Sequence, residues 1–304
     1  MLNLEDTLRL LDCFRPEQGA TIIPAPGAGK GFWSGGSFSS RSHSGDYYLY
    51  YRLRRPRSAP YEEQRGYQCR IDRSEKGESY QTVWTANKQD FGARSVEKGC
   101  LIQRTDGSWL FYISYDSEAT ERWQIDIMEA DNPRHFDPAQ RRPFFSHTDV
   151  KAHDIKDPHI VFHDEIYHIF ANITTDKGVR EQTLCILSRD GVNPMVIRKN
   201  ILAPSSDNNA WDGYSARLTG ILFLSDGFLM FYDGQRFGGE ICEEDCGLCF
   251  SEALLGPYHR LTTEQPFLFG VRYAQGLWVN DSLMLFYEYT LTDGSHELRM
   301  VRYP

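Results

Sequence analysis

The chain has 304 residues, 40% hydrophobic and 13% aromatic, with 33 Lys and Arg against 42 Asp and Glu, a formal net charge of −9. The densest basic run, 52-RLRRPR-57, is short and soon followed by Glu62 and Glu63, so no basic stripe of the kind nucleic-acid binding needs is present. No run approaches about 18 apolar residues, so no segment reads as a membrane-spanning helix.

The N-terminal stretch 1-MLNLEDTLRLLDCF-14 carries two early acids and no basic n-region, unlike a secretory signal. Its Leu4, Leu8 and Leu11 are spaced for a short amphipathic helix. Seven cysteines, an odd number spread through strand-like segments, do not form a disulfide framework, and a reducing cytoplasm is the expected location.

Beyond this helix the chain repeats itself. The segments 48-YLYYR-52, 110-LFYIS-114, 167-YHIFA-171, 229-LMFYD-233 and 284-MLFYE-288 start 62, 57, 62 and 55 residues apart. Most follow a polar turn and another apolar run, as in 100-CLIQRTDGSWLFYIS-114, and Asp-Gly between alternating apolar runs signals a hairpin. A third strand follows each hairpin, for example 123-WQIDIMEA-130 and 246-CGLCFSEA-253. Seventeen Tyr and eighteen Phe suit this strand content. The pattern predicts an all-β chain, a five-bladed β-propeller with a short N-terminal helix. The expected blades are 30–90, 91–150, 151–205, 206–265 and 266–304, the last closed by 20-ATIIP-24. A jelly roll or two sandwiches would explain the strands but not the recurrence.

In a propeller the first strand of each blade lines the axis, so polar residues at the heads of those strands converge on one funnel. The heads read 30-KGFWSGGSF-38, 95-SVEKGCLI-102, 153-HDIKDPHIV-161, 211-WDGYSARLTGI-221 and 270-GVRYAQGLW-278. Four of them place charge where a buried strand would start apolar: Glu97 and Lys98, Lys156 and Asp157, Asp212 and Arg217, and Arg272. Arg217 and Arg272 each precede their repeat by 12 residues, from 217 to 229 and from 272 to 284, and so occupy equivalent positions. Two equivalent guanidiniums suit a ligand bearing a carboxylate or phosphate. His159 follows the Asp-Pro pair, and Trp33 and Trp211 stand beside the funnel, where an aromatic ring can stack on a sugar face.

With these residues in view, the stretch 156-KDPHIVFHDEIYHIFA-171 resembles the five-bladed glycoside hydrolases of family 43 and its relatives, including family 32, which carry Asp-Pro at the head of an inner strand. The stretch 246-CGLCFSEALLGPYHRL-261 is similar to their recurring third strand, most closely from Ser251 to Tyr258. The resemblance implies that Asp157 positions the sugar and tunes the catalytic acid. It also exposes departures. Family 43 places a general-base Asp in blade one, where this chain has 33-WSGGSF-38, and a Glu-Gly-Pro acid in blade four, where it has 211-WDGYSAR-217. The carboxylates left to complete the chemistry are Glu97, Asp212 and either Glu243 or Glu244, and the chain resembles a divergent branch of the superfamily.

The remaining motifs add little. In 242-CEEDCGLC-249, Cys246 and Cys249 fall at odd spacing in one strand and point to opposite faces, which argues against zinc. There is no Walker loop, no GxGxxG and no GxSxG, and no cofactor is expected. Three readings follow: a glycosidase on a glycoside or oligosaccharide, a non-hydrolytic propeller that binds a sugar, and an interaction scaffold.

Overall fold

The computed structural model describes residues 1–175, 180–239 and 244–304. Its helix α1 (Leu4–Leu11) starts at Asn3, whose side chain accepts from the Asp6 N–H. Its apolar stripe of Leu4, Leu8 and Leu11 packs on Leu222, Leu229, Leu283 and Leu285. Strand β1 (Ala20–Ile23) follows.

The remaining strands pair in five antiparallel groups. The first holds β2 (Trp33–Arg41), β3 (Tyr47–Arg55), β4 (Arg65–Ser74) and β5 (Gln81–Asn87). The second holds β6 (Ala93–Gln103), β7 (Trp109–Ser117), β8 (Trp123–Ala130) and β9 (Arg142–Phe145). The third is β10 (Asp154–His163), β11 (Ile166–Thr174), β12 (Glu181–Ser188) and β13 (Val196–Leu202). The fourth is β14 (Ser215–Phe223), β15 (Phe228–Gln235), β16 (Asp245–Ser251) and β17 (His259–Arg260). The fifth joins β18 (Val271–Val279), β19 (Ser282–Thr290) and β20 (His296–Tyr303) to β1, which pairs antiparallel with β20. Each aromatic repeat segment forms most of the second strand of its group, and each first strand touches the first strands of the groups on either side. That closed ring of inner strands is the arrangement of a propeller.

All five inner strands carry a one-residue bulge at the same point: between Gly35 and Phe38, Val96 and Gly99, Lys156 and His159, Leu218 and Gly220, and Arg272 and Gln275. Gly36, Asp157 and Tyr273 sit in these bulges with φ of 60°, 56° and 50°. Aspartate tolerates the left-handed region better than most residues, and a bulge has no ladder position for the following Pro158 to disrupt. The bulges bend the strands and separate a charged layer above them from an apolar layer below.

That apolar layer continues outward between the groups. Phe111 is fully buried, with ring centroids of Tyr50, Trp84 and Phe136 at 5.3, 5.4 and 5.2 Å.

Candidate functional site

The residues just above the bulges carry the charge. Arg217 and Arg272 occupy the same register position, opposite Asp233 and Glu288 on their neighbouring strands. Lys156 takes the equivalent place in the third group, opposite Asn172, and Gly35 in the first, opposite Arg52.

These side chains form a chain of buried ion pairs. Arg52 pairs with Glu97. Lys156 Nζ lies 3.0 Å from Glu181 Oε1, and Arg217 Nε lies 3.3 Å from Glu181 Oε2. Arg217 Nη2 donates to Glu244 Oε1 at 2.5 Å, and Arg272 Nε lies 2.8 Å from Glu244 Oε2. Arg272 Nη1 donates to Glu288 Oε1 at 3.1 Å, and His296 Nδ1 lies 2.6 Å from the same oxygen. Arg is suited to such bridging because its planar fork serves two carboxylates at once.

Burial acts to raise Glu97, Glu181 and Glu288, and the cations hold them ionised. For Glu181 burial is outweighed by Lys156 and Arg217, which hold it down to about 2. Glu97 is likewise buried, yet Arg52 keeps it below the usual range, and for Glu288 the same is done by Arg272 and His296. Beneath them the balance reverses. Burial lifts Asp233 to about 7 despite Arg217 and Arg272, and it lifts Asp157 as well. Asp157 is 1% exposed, both its carboxylate oxygens lack a hydrogen bond, and Arg217 Nη1 is 3.8 Å away.

Two cavities open over this network. The first, about 420 Å3, is lined by Arg52, Glu97, Lys156, Glu181, Arg217, Glu244 and Arg272, together with Trp123, Tyr214 and outer arginines. The second, about 600 Å3, is lined by Trp33, Phe269, Thr290 and His296 and shares Arg236, Gly239 and Glu244 with the first. Of the residues expected at the funnel, Glu97, Lys156, Arg217, Arg272 and Glu244 line the first cavity, and Asp157 lies directly under Arg217.

Other expected residues stand elsewhere. Asp212 is not at the funnel: Arg260 Nε donates to it at 2.6 Å and Tyr232 Oη at 3.0 Å, within the packing of the fourth group. Trp211 stacks on Tyr232 at 5.5 Å in the same cluster, and its Nε1 donates to the Thr262 carbonyl. Both precede β14 by several residues, so the chain has not yet reached the axis. Lys98 sits in the bulge itself, fully buried, donating to the Thr219 carbonyl at 2.7 Å, with burial lowering its amine to about 8. His159 lies past the bulge and lines an apolar cavity at the other end of the axis with Phe38 and Trp278. Trp33 borders the second cavity, but His296 stacks on its ring at 4.7 Å and Arg54 lies over it at 4.4 Å, so its faces are not open to a sugar. Glu243 and Cys242 fall outside the described residues. Cys246 and Cys249 are buried in β16, and among the described residues no group of His, Cys, Asp and Glu could hold a metal.

Sequence reasoning missed Arg52, Glu181, Asp233 and Glu288. Three of them left a signal: Arg52, Asp233 and Glu288 each end an aromatic repeat as a charge behind four residues of strand. Glu288 matters most. Its Oε2 accepts from the Gly36 N–H at 3.1 Å, and a Cβ on Gly35 would lie 1.5 Å from that oxygen. A carboxylate is therefore present beside the head of the first inner strand, delivered from the fifth group, and Gly35 leaves room for it.

No family profile and no curated protein matches the sequence. Solved structures do. A thermostable family-43 glycoside hydrolase superposes with a TM-score of 0.68 at 14% identity, over 93% of this chain and 92% of that one. The endo-arabinase of Bacteroides thetaiotaomicron gives 0.64 at 14% identity, over 94% and 97%. The β-1,2-mannobiose phosphorylase of Listeria innocua gives 0.60 at 14% identity, over 96% and 93%. At these identities the likeness establishes the fold, that of the propeller-type glycosidases; fold by itself does not carry activity.

Proposed function

We propose that the chain binds and cleaves a glycoside in the paired cavities above the inner-strand bulges, and that this glycoside bears an anionic group. The observation that supports the reading is the convergence of Glu97, Glu181 and Glu244 with Arg217 and Arg272 around one cavity. It sits at the axis of a fold shared with proteins described as a glycoside hydrolase, an endo-arabinase and a mannobiose phosphorylase. In this reading the five strand groups are five blades. The six described cysteines, all free thiols, fit a reducing cytoplasm.

Glycoside cleavage takes one ionised carboxylate and one protonated carboxyl on either side of the scissile bond. Glu97, kept ionised by Arg52, serves as the base or nucleophile. Glu244 serves as the proton donor. In the free chain it is held by Arg217 and Arg272; hydroxyl oxygens of the substrate compete for those two guanidiniums, and Glu244, so released, takes up a proton from water and passes it to the leaving oxygen. Glu181 holds Lys156 and Arg217 in place, and Asp157 beneath Arg217 sets the charge of the layer.

Incubation with aryl glycosides and oligosaccharides, uronides included, tests this: product forms with the native chain and falls by about 10²-fold or more in Glu97→Gln and Glu244→Gln. Turnover on a substrate that both variants process at the native rate would remove these roles. A second reading, binding without cleavage, is favoured by the fact that Glu97, Glu181 and Glu244 are all ion-paired and that Gly35-Gly36 stands where family 43 has its base. Saturable sugar binding with no product from any glycoside would select it.

A further inference from the structure

The inference rests on the glycoside reading above and concerns how the substrate is divided between the two cavities. The first cavity is lined by eight Arg and Lys side chains and three glutamates among the described residues, in a chain whose net charge is −9.

The inner cations of this set are committed. Arg52, Lys156, Arg217 and Arg272 are paired with Glu97, Glu181, Glu244 and Glu288, and Arg65 lies 2.8 Å from Asp116. The outer ones differ. Arg57, in the loop after β3, and Arg236, in the loop after β15, are exposed; among the described residues neither stands in an ion pair, although the charge of Arg236 acts on Asp245 in the second cavity. They approach the same mouth from the first and fourth groups. Holding two like charges at one mouth is unfavourable unless an anion enters between them.

The second cavity has fewer cations and a larger aromatic share. Lys30, Asp245 and His296 stand in its wall beside the shared Arg236 and Glu244, but Phe269, 63% exposed, offers the open aromatic surface that Trp33 does not. An apolar ring face packs against the C–H face of a sugar. The wall common to both cavities carries Arg236 and Glu244.

We infer that the two cavities are two subsites for one saccharide: a unit bearing an oxyanion sits between Arg57 and Arg236, a second sugar ring packs on Phe269, and the linkage between them lies over Glu244. Carboxylate, sulfate ester and phosphate ester share the chemistry Arg57 and Arg236 recognise.

The test is calorimetric titration with four versions of one disaccharide: neutral, uronic acid, sulfated and phosphorylated. The experiment is run at about 50 and about 300 mM salt, across which screening between exposed charges changes strongly. At least one charged version binds about tenfold tighter than the neutral one, and the preference shrinks at high salt. Arg57→Gln and Arg236→Gln each cut the charged-to-neutral preference by about tenfold, with thermal melts confirming the fold. Phe269→Ala weakens every disaccharide, and the tightest of the three charged versions identifies the anion. Equal affinity for neutral and charged disaccharides overturns the subsite assignment and the anionic group of the substrate, and a preference untouched in both arginine variants overturns the subsite assignment alone; both leave cleavage of a glycoside standing. Binding of glucuronate, sulfate or phosphate alone as tightly as any disaccharide overturns the glycoside reading instead. Absence of binding by all four overturns both.

Discussion

Arg217→Met removes one charge from the centre of the network while filling much of the same volume. Arg217 faces four acids: Glu244 at 2.5 Å, Glu181 at 3.3 Å, and Asp157 and Asp233 each at 3.8 Å. Removing one member of a buried ion pair costs about 3–5 kcal/mol, because the partners stay behind uncompensated. A second route gives the same order. Glu181 is held at about 2 against an ordinary 4.5, which corresponds to about 3 kcal/mol of stability, shared between Lys156 and Arg217. A carboxyl depressed in the folded state contributes that stability above its unfolded value, and the contribution is lost as pH falls through the folded one. The penalty of Arg217→Met is therefore largest near neutrality and shrinks as pH falls from about 5 toward 2. Urea denaturation followed by tryptophan fluorescence reads it as a midpoint lowered by about 1 M or more at pH 7. An unchanged midpoint at pH 7, or a penalty as large at pH 3 as at pH 7, would refute the electrostatic account of the site.

Asp233 runs the other way: its carboxyl binds a proton more tightly folded, at about 7, than at its ordinary 3.8, so its contribution to stability is lost as pH rises from about 4 to 7, by at most about 4 kcal/mol. Asp233→Asn flattens that part of the stability–pH curve, and an unaltered slope in parallel denaturation series would contradict the assignment. Asp212→Asn, which weakens the contacts from Arg260 and Tyr232, lowers stability by about 1–3 kcal/mol and leaves kcat on any accepted glycoside unchanged; a lost kcat would return Asp212 to the catalytic set. Gly35→Ala forces the Glu288 carboxylate off the Gly36 N–H, Arg272 and His296, so ligand affinity drops by about tenfold or more in titration, and native affinity in this variant would argue against the role given to Glu288.

The strand pattern was legible because each aromatic repeat is local: a hairpin's alternation is written within some fifteen residues, and the turn chemistry between its arms is explicit, as in 105-TDG-107. Most of the site was legible where charge interrupted that alternation on an inner strand, at Glu97, Lys156, Asp157, Arg217 and Arg272; Glu244, just ahead of β16, was found as one of the carboxylates left once the family pattern was missing. Asp212 and Trp211 misled because they lie close in sequence to Arg217 while the chain is still approaching the axis. His159 misled because a bulge between Lys156 and His159 moves it to the other end of the channel. The opposition of Glu288 to Gly35 depends on the meeting of two groups more than 250 residues apart, and no local pattern encodes it.

The pairing of β1 with β20 has a consequence for how the molecule comes into being. Ala20 lies opposite Met300, and Trp33 opposite His296, so the ring is sealed by contacts between segments far apart in sequence. Closing so long a loop costs chain entropy before any reward is collected, and folds dominated by such contacts form slowly. During synthesis the earlier hairpins can assemble as they emerge, but the seam waits for β20. Glu288 and His296 lie in the segment that closes the seam, so the contact of Glu288 with Gly36 forms only with it. Until then β1 and β2 present unpaired edges, which makes the nascent chain, and any variant with a weakened β20, prone to edge-to-edge association.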